Sequence, residues 1–245
     1  MRTAAILPVK RFSLAKQRLG ASVAAQLRER LARAMLSDVL DALSRVPAIE
    51  RTILVTCERS LALQTRARGV LLLEDEAEAG QSEAVTLGVR RAIAEGFERV
   101  LCIPGDCPAL DPGELELLLS SDRGKPAAAH GSATAEVVIV PDRHGSGTNG
   151  LLLSPPDAIT PSFGPDSARR HLALARAAGV RYRLERVPSL LLDIDTGADL
   201  AALRAQTQAA ERPACRSRPG GAAAHTRALL RADASPDLPA LTGRG

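Results

Sequence analysis

Short β-branched runs alternate with stretches of helical periodicity through the first half of this chain, and that alternation restricts its fold more than any other feature. Ala4 to Val9, Thr52 to Cys57, Val70 to Leu73 and Arg99 to Ile103 read as buried strands. Between the first two, Val23, Leu27, Leu31, Ala34, Val39 and Leu43 keep helical spacing as far as Pro47, with Ser22 as the expected cap. Arg59 to Ala67 is helix-prone, and Val85, Val89 and Ile93 share one face of a helix that Ser82 is placed to cap. Parallel strands joined by helices need right-handed crossovers, which lay helices on both faces of the sheet. The expectation is an α/β domain over residues 1–210, Rossmann-like, with a mostly parallel central sheet. Such sheets bind ligands at the carboxyl ends of their strands.

The second half continues in kind. Asp111-Pro-Gly-Glu114 is a capping box for a helix from Glu114 to Leu119, and Ser120 to Ala135 reads as loop. Glu136 to Asp142 and Leu151 to Leu153 read as strands. Ser167 starts a helix to Ala178, Val187 to Ile194 reads as a strand, and Thr196 caps a last helix to about Ala210. From Arg212 onward Pro, Gly, Ala and Arg dominate without period, so residues 211–245 read as a disordered tail, with a transient helix open to Ala222–Ala232.

Composition narrows the function. Aromatic residues make up only 2% of the chain, so stacking nucleobases on a row of aromatics is excluded as a recognition mode. The pI near 9.2 suggests nucleic acid until the charge is located. Residues 211–245 hold six Arg against one Glu and two Asp, a net of +3, which leaves the body at +1. The four cysteines form no CxxC pair, and Cys57 and Cys102 lie in apolar runs as small buried hydrophobes. No run reaches membrane-spanning length and the N-terminus opens as a strand rather than a leader, so the expected setting is the cytoplasm, with neither nucleic acid nor membrane as partner.

Three groups of residues carry chemistry. The first is Val140-Pro-Asp-Arg-His-Gly-Ser-Gly-Thr-Asn-Gly150, which holds the only asparagine of the chain, Asn149. Glycines there let backbone N–H groups turn toward an anion, and Ser146, Thr148 and Arg143 can donate to phosphate or carboxylate oxygens. A plain surface loop is the bland alternative.

The second group is acidic. Asp106 follows the strand ending at Ile103, and Asp193 and Asp195 sit in Leu190-Leu-Leu-Asp-Ile-Asp-Thr196. Alternate strand residues point to one face, and two like charges in an apolar run call for a cation. Oxygen donors without His or thiolate suit Mg²⁺ or Mn²⁺. Read singly, Asp106 is a turn residue and Asp195-Thr196 a helix cap.

The third group is cationic. Lys10 and Lys16 are two of three lysines in a chain with 29 arginines, and both follow the first strand. A compact ammonium against phosphates explains that choice, although no P-loop pattern is present. His130 and His144 read as loop histidines.

The motifs Ile6-Leu-Pro-Val-Lys-Arg-Phe-Ser-Leu-Ala-Lys-Gln-Arg-Leu19, Pro104-Gly-Asp-Cys-Pro108, Gly147-Thr-Asn-Gly150, Ser162-Phe-Gly-Pro-Asp-Ser167 and Leu192-Asp-Ile-Asp-Thr196 occur in this order. Over roughly residues 4–205 the chain resembles the phosphoenolpyruvate or 2-phospho-L-lactate guanylyltransferase family of coenzyme F-420 biosynthesis. The resemblance implies a GT-A-like nucleotidyltransferase fold. It implies that Asp106, Asp193 and Asp195 hold Mg²⁺, as two ions, on the phosphates of GTP, with Asp106 and Lys16 catalytic. Thr148, Gly164 and Ser167 are implied to bind a phosphorylated C3 acid, and Lys10, Lys16, Gly80 and Ser82 the nucleotide. Where relatives read Gly-Leu-Asn-Ala-Ala, this chain reads Gly80-Gln-Ser-Glu-Ala84. Alternatives left open are a nucleotidyltransferase for molybdopterin or a sugar phosphate, whose Leu-Ala-Gly-Gly type first loop is missing here, and a nucleotide-binding module without turnover. Oligomeric state is not legible, and a homodimer stays open.

Overall fold

The structure, a computed structural model, describes residues 1–19, 23–120, 135–210 and 222–234. In chain order its elements are β1 (Thr3–Val9), α1 (Ala25–Leu43), β2 (Arg51–Thr56), α2 (Ala62–Ala67), β3 (Leu71–Glu74), α3 (Gln81–Ala94), β4 (Arg99–Cys102), α4 (Pro112–Ser120), β5 (Glu136–Pro141), β6 (Thr148–Ser154), α5 (Ser167–Ala177), β7 (Arg181–Leu184), α6 (Gly197–Ala210) and α7 (Ala224–Ala234). The strands form one seven-stranded sheet in the order β3-β2-β1-β4-β6-β5-β7. Among the described residues only β6 runs against its neighbours; every other pairing is parallel.

Period-two alternation sends the two sides of each strand into different cores. Ala5, Leu7, Leu54, Leu101 and Leu152 pack with Leu36, Val39 and Leu40 of α1 and Leu115 and Leu118 of α4. Ala4, Ile6, Ile53, Val55, Val100 and Leu153 pack with Val85 and Val89 of α3 and Ala168 and Ala175 of α5. Helices therefore cover both faces, as the alternation of elements predicts. On the second face α3 lies close to the sheet: a Cβ on Gly88 would stand 2.6 Å from Ile6 Cγ2 and 3.2 Å from Val55 Cγ2. Gly88→Ala should thus destabilise the fold by about 1–3 kcal/mol through overpacking, despite alanine's better helix propensity, and thermal unfolding would reveal it.

A third cluster lies off the sheet. Leu19, Leu31, Met35, Leu192, Ile194, Leu200 and Leu203 meet Ala223 and Leu230 there. This cluster explains the largest departure from the sequence reading. Val187 to Ile194 is not a strand but a short 3-10 turn, Pro188–Leu190, followed by irregular chain. Its apolar residues serve two cores, with Val187 and Leu190 in the first and Leu192 and Ile194 in the third. The strand of that region is β7, an Arg-Tyr-Arg-Leu edge whose Arg181 and Arg183 pair with Glu136 at 3.4 and 3.1 Å.

Within the stretch read as a disordered tail, residues 224–234 form helix α7, over nearly the span where a transient helix was left open. The Asp38 carboxylate of α1 accepts hydrogen bonds from Thr226 N–H (2.9 Å), Thr226 Oγ1 (2.6 Å) and His225 N–H (2.8 Å), which docks α7 on α1. Residues 211–221 and 235–245 lie outside the described residues, as do Ser22 and 121–134.

Two caps also differ from expectation. Gly80, not Ser82, precedes the first turn of α3, and among the described residues no side chain caps it. Asp111 does accept from Gly113 N–H (2.7 Å) and Glu114 N–H (3.3 Å), but the Glu114 carboxylate turns away to Ser189 N–H at 2.8 Å. At α6 the expected cap holds: Thr196 Oγ1 accepts from Asp199 N–H, and Asp199 Oδ2 takes Thr196 N–H at 2.7 Å. Among the described residues no helix is long and apolar enough to cross a membrane.

Candidate active site

The carboxyl ends of β1, β2, β3 and β4 open into a cleft of ≈ 950 Å³, lined among others by Lys10, Lys16, Gly80, Asp106, Thr148, Gly164, Ser167, Asp193 and Asp195. Nine of the ten residues predicted for the site are thus gathered in one place. Ser82 is the exception: its Oγ accepts Phe163 N–H at 2.8 Å, so it secures a loop rather than facing the cleft.

Lys16 is the centre of the charged wall. It stands in the 3-10 turns after β1 at φ 56°, a left-handed value that costs a residue with a side chain on the order of 1–2 kcal/mol. That backbone turn, together with Leu19 anchored in the third cluster, sends the side chain inward, where it is only 7% exposed. The ammonium donates to Asp106, just past β4, and to Asp195 Oδ1 at 3.0 Å. Burial alone would lower the Lys16 pKa, but the Asp106 and Asp195 carboxylates outweigh it and hold it above the ordinary lysine value.

Asp193 lies beside them. Its Oδ1 accepts from Asn149 Nδ2 at 3.3 Å, and the same amide donates to the Leu190 carbonyl at 2.7 Å. Burial pushes the Asp193 carboxyl upward, and the Asp106 and Asp195 charges add to the rise. The two carboxylates of the Asp-Ile-Asp stretch face the cleft because Leu192 and Ile194, flanking and separating them, are held in the third cluster. The alternation predicted for a strand is reproduced by irregular chain. Among the described residues no three His, Cys, Asp or Glu side chains stand grouped around a single point as metal ligands do. Lys16 is the cation placed between Asp106 and Asp195.

The facing wall is a loop held firmly from behind. Ser162 to Pro165 is gripped by Arg170, which donates to Ser162 Oγ (3.0 Å), to the Ser162 and Phe163 carbonyls (3.1 and 2.9 Å) and to the Pro165 carbonyl. Gly164 adopts φ 108°, which a side chain would strain, and Asp166 adopts φ 54° just before Ser167 opens α5. Thr148, at the start of β6, is buried, and His171 Nδ1 lies 3.0 Å from its Oγ1.

The glycine-rich loop behaves differently from the expectation. Thr148, Asn149 and Gly150 already belong to β6. The remaining turn is organised by Asp142, whose Oδ1 takes His144 N–H and Ser146 N–H, both at 3.1 Å. Those N–H groups serve the turn rather than an anion. Arg143 pairs with Asp199, which also accepts Asp195 N–H at 3.0 Å, so it braces the acidic loop. On the opposite side, Cys57 is only half-buried: its thiol donates to Glu78 Oε1 at 2.8 Å, and Arg11 pairs with Glu78 at 2.9 Å.

Sequence reading missed His171 and Arg170. A signal for His171 was present: it shares the inward face of α5 with Ala168 and Ala175, three residues before and four after. Asn149 was marked by its uniqueness, but its partner Asp193 was not foreseeable.

Comparison with known proteins places this arrangement. Residues 3–209 match the family described as "Guanylyl transferase CofC like". The chain is 48% identical over 230 residues to the phosphoenolpyruvate guanylyltransferase of Conexibacter woesei, covering 94% of this chain and 96% of that one. It is 33% identical over 200 residues to the 2-phospho-L-lactate guanylyltransferase of Methanothermobacter thermautotrophicus, covering 82% and 83%. A crystal structure of a protein assigned as a nucleotide-diphospho-sugar transferase, from Desulfovibrio desulfuricans G20, superposes with a TM-score of 0.68 at 18% identity, covering 95% of this chain and 96% of that one, and this establishes the GT-A-like nucleotidyltransferase fold. The chain belongs to the CofC-like guanylyl transferase family.

Proposed function

We propose that this protein transfers GMP from GTP to phosphoenolpyruvate, releasing pyrophosphate, as a step in coenzyme F-420 biosynthesis. The observation that carries the reading is one cleft with two walls: a buried ammonium among carboxylates on one side, and the locked loop at Gly164 to Ser167 on the other. Phosphoenolpyruvate is preferred as acceptor because the relative bearing that name shares more identity with this chain than the 2-phospho-L-lactate enzyme does.

In this reading a phosphate oxygen of the acceptor attacks the α-phosphorus of GTP. A new P–O bond forms, the bond to the bridging oxygen breaks, and the electron pair leaves with pyrophosphate. The nucleophile is already an anion, so no general base is required, and catalysis rests on positioning and charge. Lys16 meets the charge that accumulates on the phosphates, and Lys10, at the exposed mouth, adds to the field that draws them in. Thr148, Gly164 and Ser167 seat the acceptor's phosphate and carboxylate at the start of α5.

The carboxylates have the chemistry for Mg²⁺, with Lys16 holding the place between two of them: among the described residues Asp106 Oδ1 is buried with no hydrogen-bond partner, and Asp193 and Asp195 line the same cleft. Asp106, Asp193 and Asp195 are the residues that would hold it. Once bound, it would neutralise phosphate charge and stabilise the leaving pyrophosphate.

Pyrophosphate release by the purified protein tests the reading, with GTP, ATP and CTP each offered against phosphoenolpyruvate, 2-phospho-L-lactate and 3-phosphoglycerate. Turnover is expected with GTP and phosphoenolpyruvate. Silence with every phosphorylated C3 acid would end the proposal. Asp193→Asn should cut the rate by about 10²-fold or more while the folded circular-dichroism spectrum persists.

A further inference from the structure

We propose that His171 is a positioning residue that turns the Thr148 hydroxyl into a fixed hydrogen-bond donor toward the acceptor's anionic oxygens. The inference rests on the guanylyl-transfer reading and deepens it at the acceptor wall. His171 is fully buried on the inner face of α5, and both ring nitrogens are engaged. Ser162 N–H approaches Nε2 at 2.9 Å. A backbone amide can only donate, so Nε2 carries no proton and the neutral ring must carry it on Nδ1. Nδ1 then donates to Thr148 Oγ1 at 3.0 Å.

The Thr148 oxygen accepts on that side, and its own proton is directed elsewhere. Thr148 lines the cleft, and with Nδ1–H facing one lone pair its hydroxyl proton is turned away from the ring and is available to an anion there. Phe163 stacks edge-on against the imidazole at 5.1 Å, which fixes the ring plane. Burial and the neighbouring Arg170 charge push the His171 pKa down to about 4, which keeps the ring neutral across the physiological range.

One histidine therefore does two jobs: it ties down the Ser162 end of the acceptor loop and sets the polarity of Thr148. The two can be separated. His171→Gln offers an amide oxygen near the Nε2 position but no donor for Thr148, whereas His171→Asn offers a donor near Nδ1 and abandons Ser162.

Steady-state kinetics of His171→Gln, Thr148→Val and the double variant decide the question. His171→Gln and Thr148→Val should each raise the KM for phosphoenolpyruvate about 10–100-fold, with the KM for GTP unchanged, and the double variant should be no worse than either. His171→Asn should recover much of the loss. Effects that multiply in the double variant, or an equal rise in the KM for GTP, would overturn the proposal. Should the variants fail to fold, long-range ¹H–¹⁵N correlation on the wild-type protein reads the tautomer directly. An Nδ1–H ring supports the assignment and an Nε2–H ring or imidazolium refutes it. A wild type that releases no pyrophosphate would instead refute guanylyl transfer, so the two failures remain distinct.

Discussion

Replacing Lys16 with methionine, which keeps the stem and removes the charge, should lower guanylyl transfer by about 10²–10³-fold. The ammonium is buried, touches two carboxylates and faces the place assigned to the nucleotide phosphates. Its removal has a second consequence. Deleting one partner of a fully buried ion pair costs about 3–5 kcal/mol; here the loss is smaller, on the order of 1–3 kcal/mol, because water reaches Asp106 and Asp195, which are 27% and 42% exposed. Here two carboxylates would be left beside Asp193, whose own carboxyl is already raised by burial and then by the Asp106 and Asp195 charges. The variant should therefore lose thermal stability, and Mg²⁺ should restore more of it than Mg²⁺ adds to the wild type, since a divalent ion then supplies the missing positive charge. Arginine should not rescue turnover: its planar fork is wider than an ammonium and cannot enter between Asp106 and Asp195 without moving them. Turnover within tenfold of wild type in Lys16→Met would show that the charged wall is not where the chemistry happens.

The site was legible where chemistry and backbone agree. Lys16 stood out because an arginine-rich chain used lysine there, and the structure gives a reason in the narrow gap between two carboxylates. Asp193 and Asp195 were found for a reason that does not apply. They share a face because Leu192 and Ile194 are held by a hydrophobic cluster, not because the segment is a strand. Ser82 shows the converse. Its place beside Gly80 invited a nucleotide role, yet its hydroxyl is used across a sequence gap of 81 residues to hold Phe163 N–H. Contacts at such range leave no local pattern, which is also why the pairing of Asn149 with Asp193 could not be read.

The fold was legible wherever an element is buried on two sides. Strands β1, β2 and β4 are continuous apolar runs because helices cover both faces, and they read as strands for that reason. Edge strand β7 is half-buried on one side only, and that side carries Arg181 and Arg183, which satisfy their charges on Glu136, so the strand carries no hydrophobic signature. The tail was partly legible: among its arginines and prolines one short amphipathic stretch from 224 to 234 forms a docked helix, where the sequence left only a transient one open.

That stretch gives the second large expected effect: deletion of residues 211–245 should destabilise the protein by about 3–5 kcal/mol, a fall in Tm on the order of 10 °C, and reduce turnover at least about tenfold. The stability loss follows from what α7 covers. Leu230 and Ala223 close the third cluster over Leu31 and Met35, and the Asp38 carboxylate loses three hydrogen bonds. The turnover loss follows from what else that cluster holds. Leu19 anchors the turn that carries Lys16, and Leu192 and Ile194 anchor the chain that carries Asp193 and Asp195. Every charged group of the wall except Asp106 and Lys10 is therefore braced by a cluster whose roof is α7. Thr226→Val separates the two effects, because it removes the Oγ1 bond to Asp38 while both backbone bonds and the cluster remain: it should cost about 1–3 kcal/mol and leave kcat near wild type. If the truncated protein matches the full chain in Tm and turnover, α7 is an ornament on α1 and the bracing of the charged wall comes entirely from residues before 211.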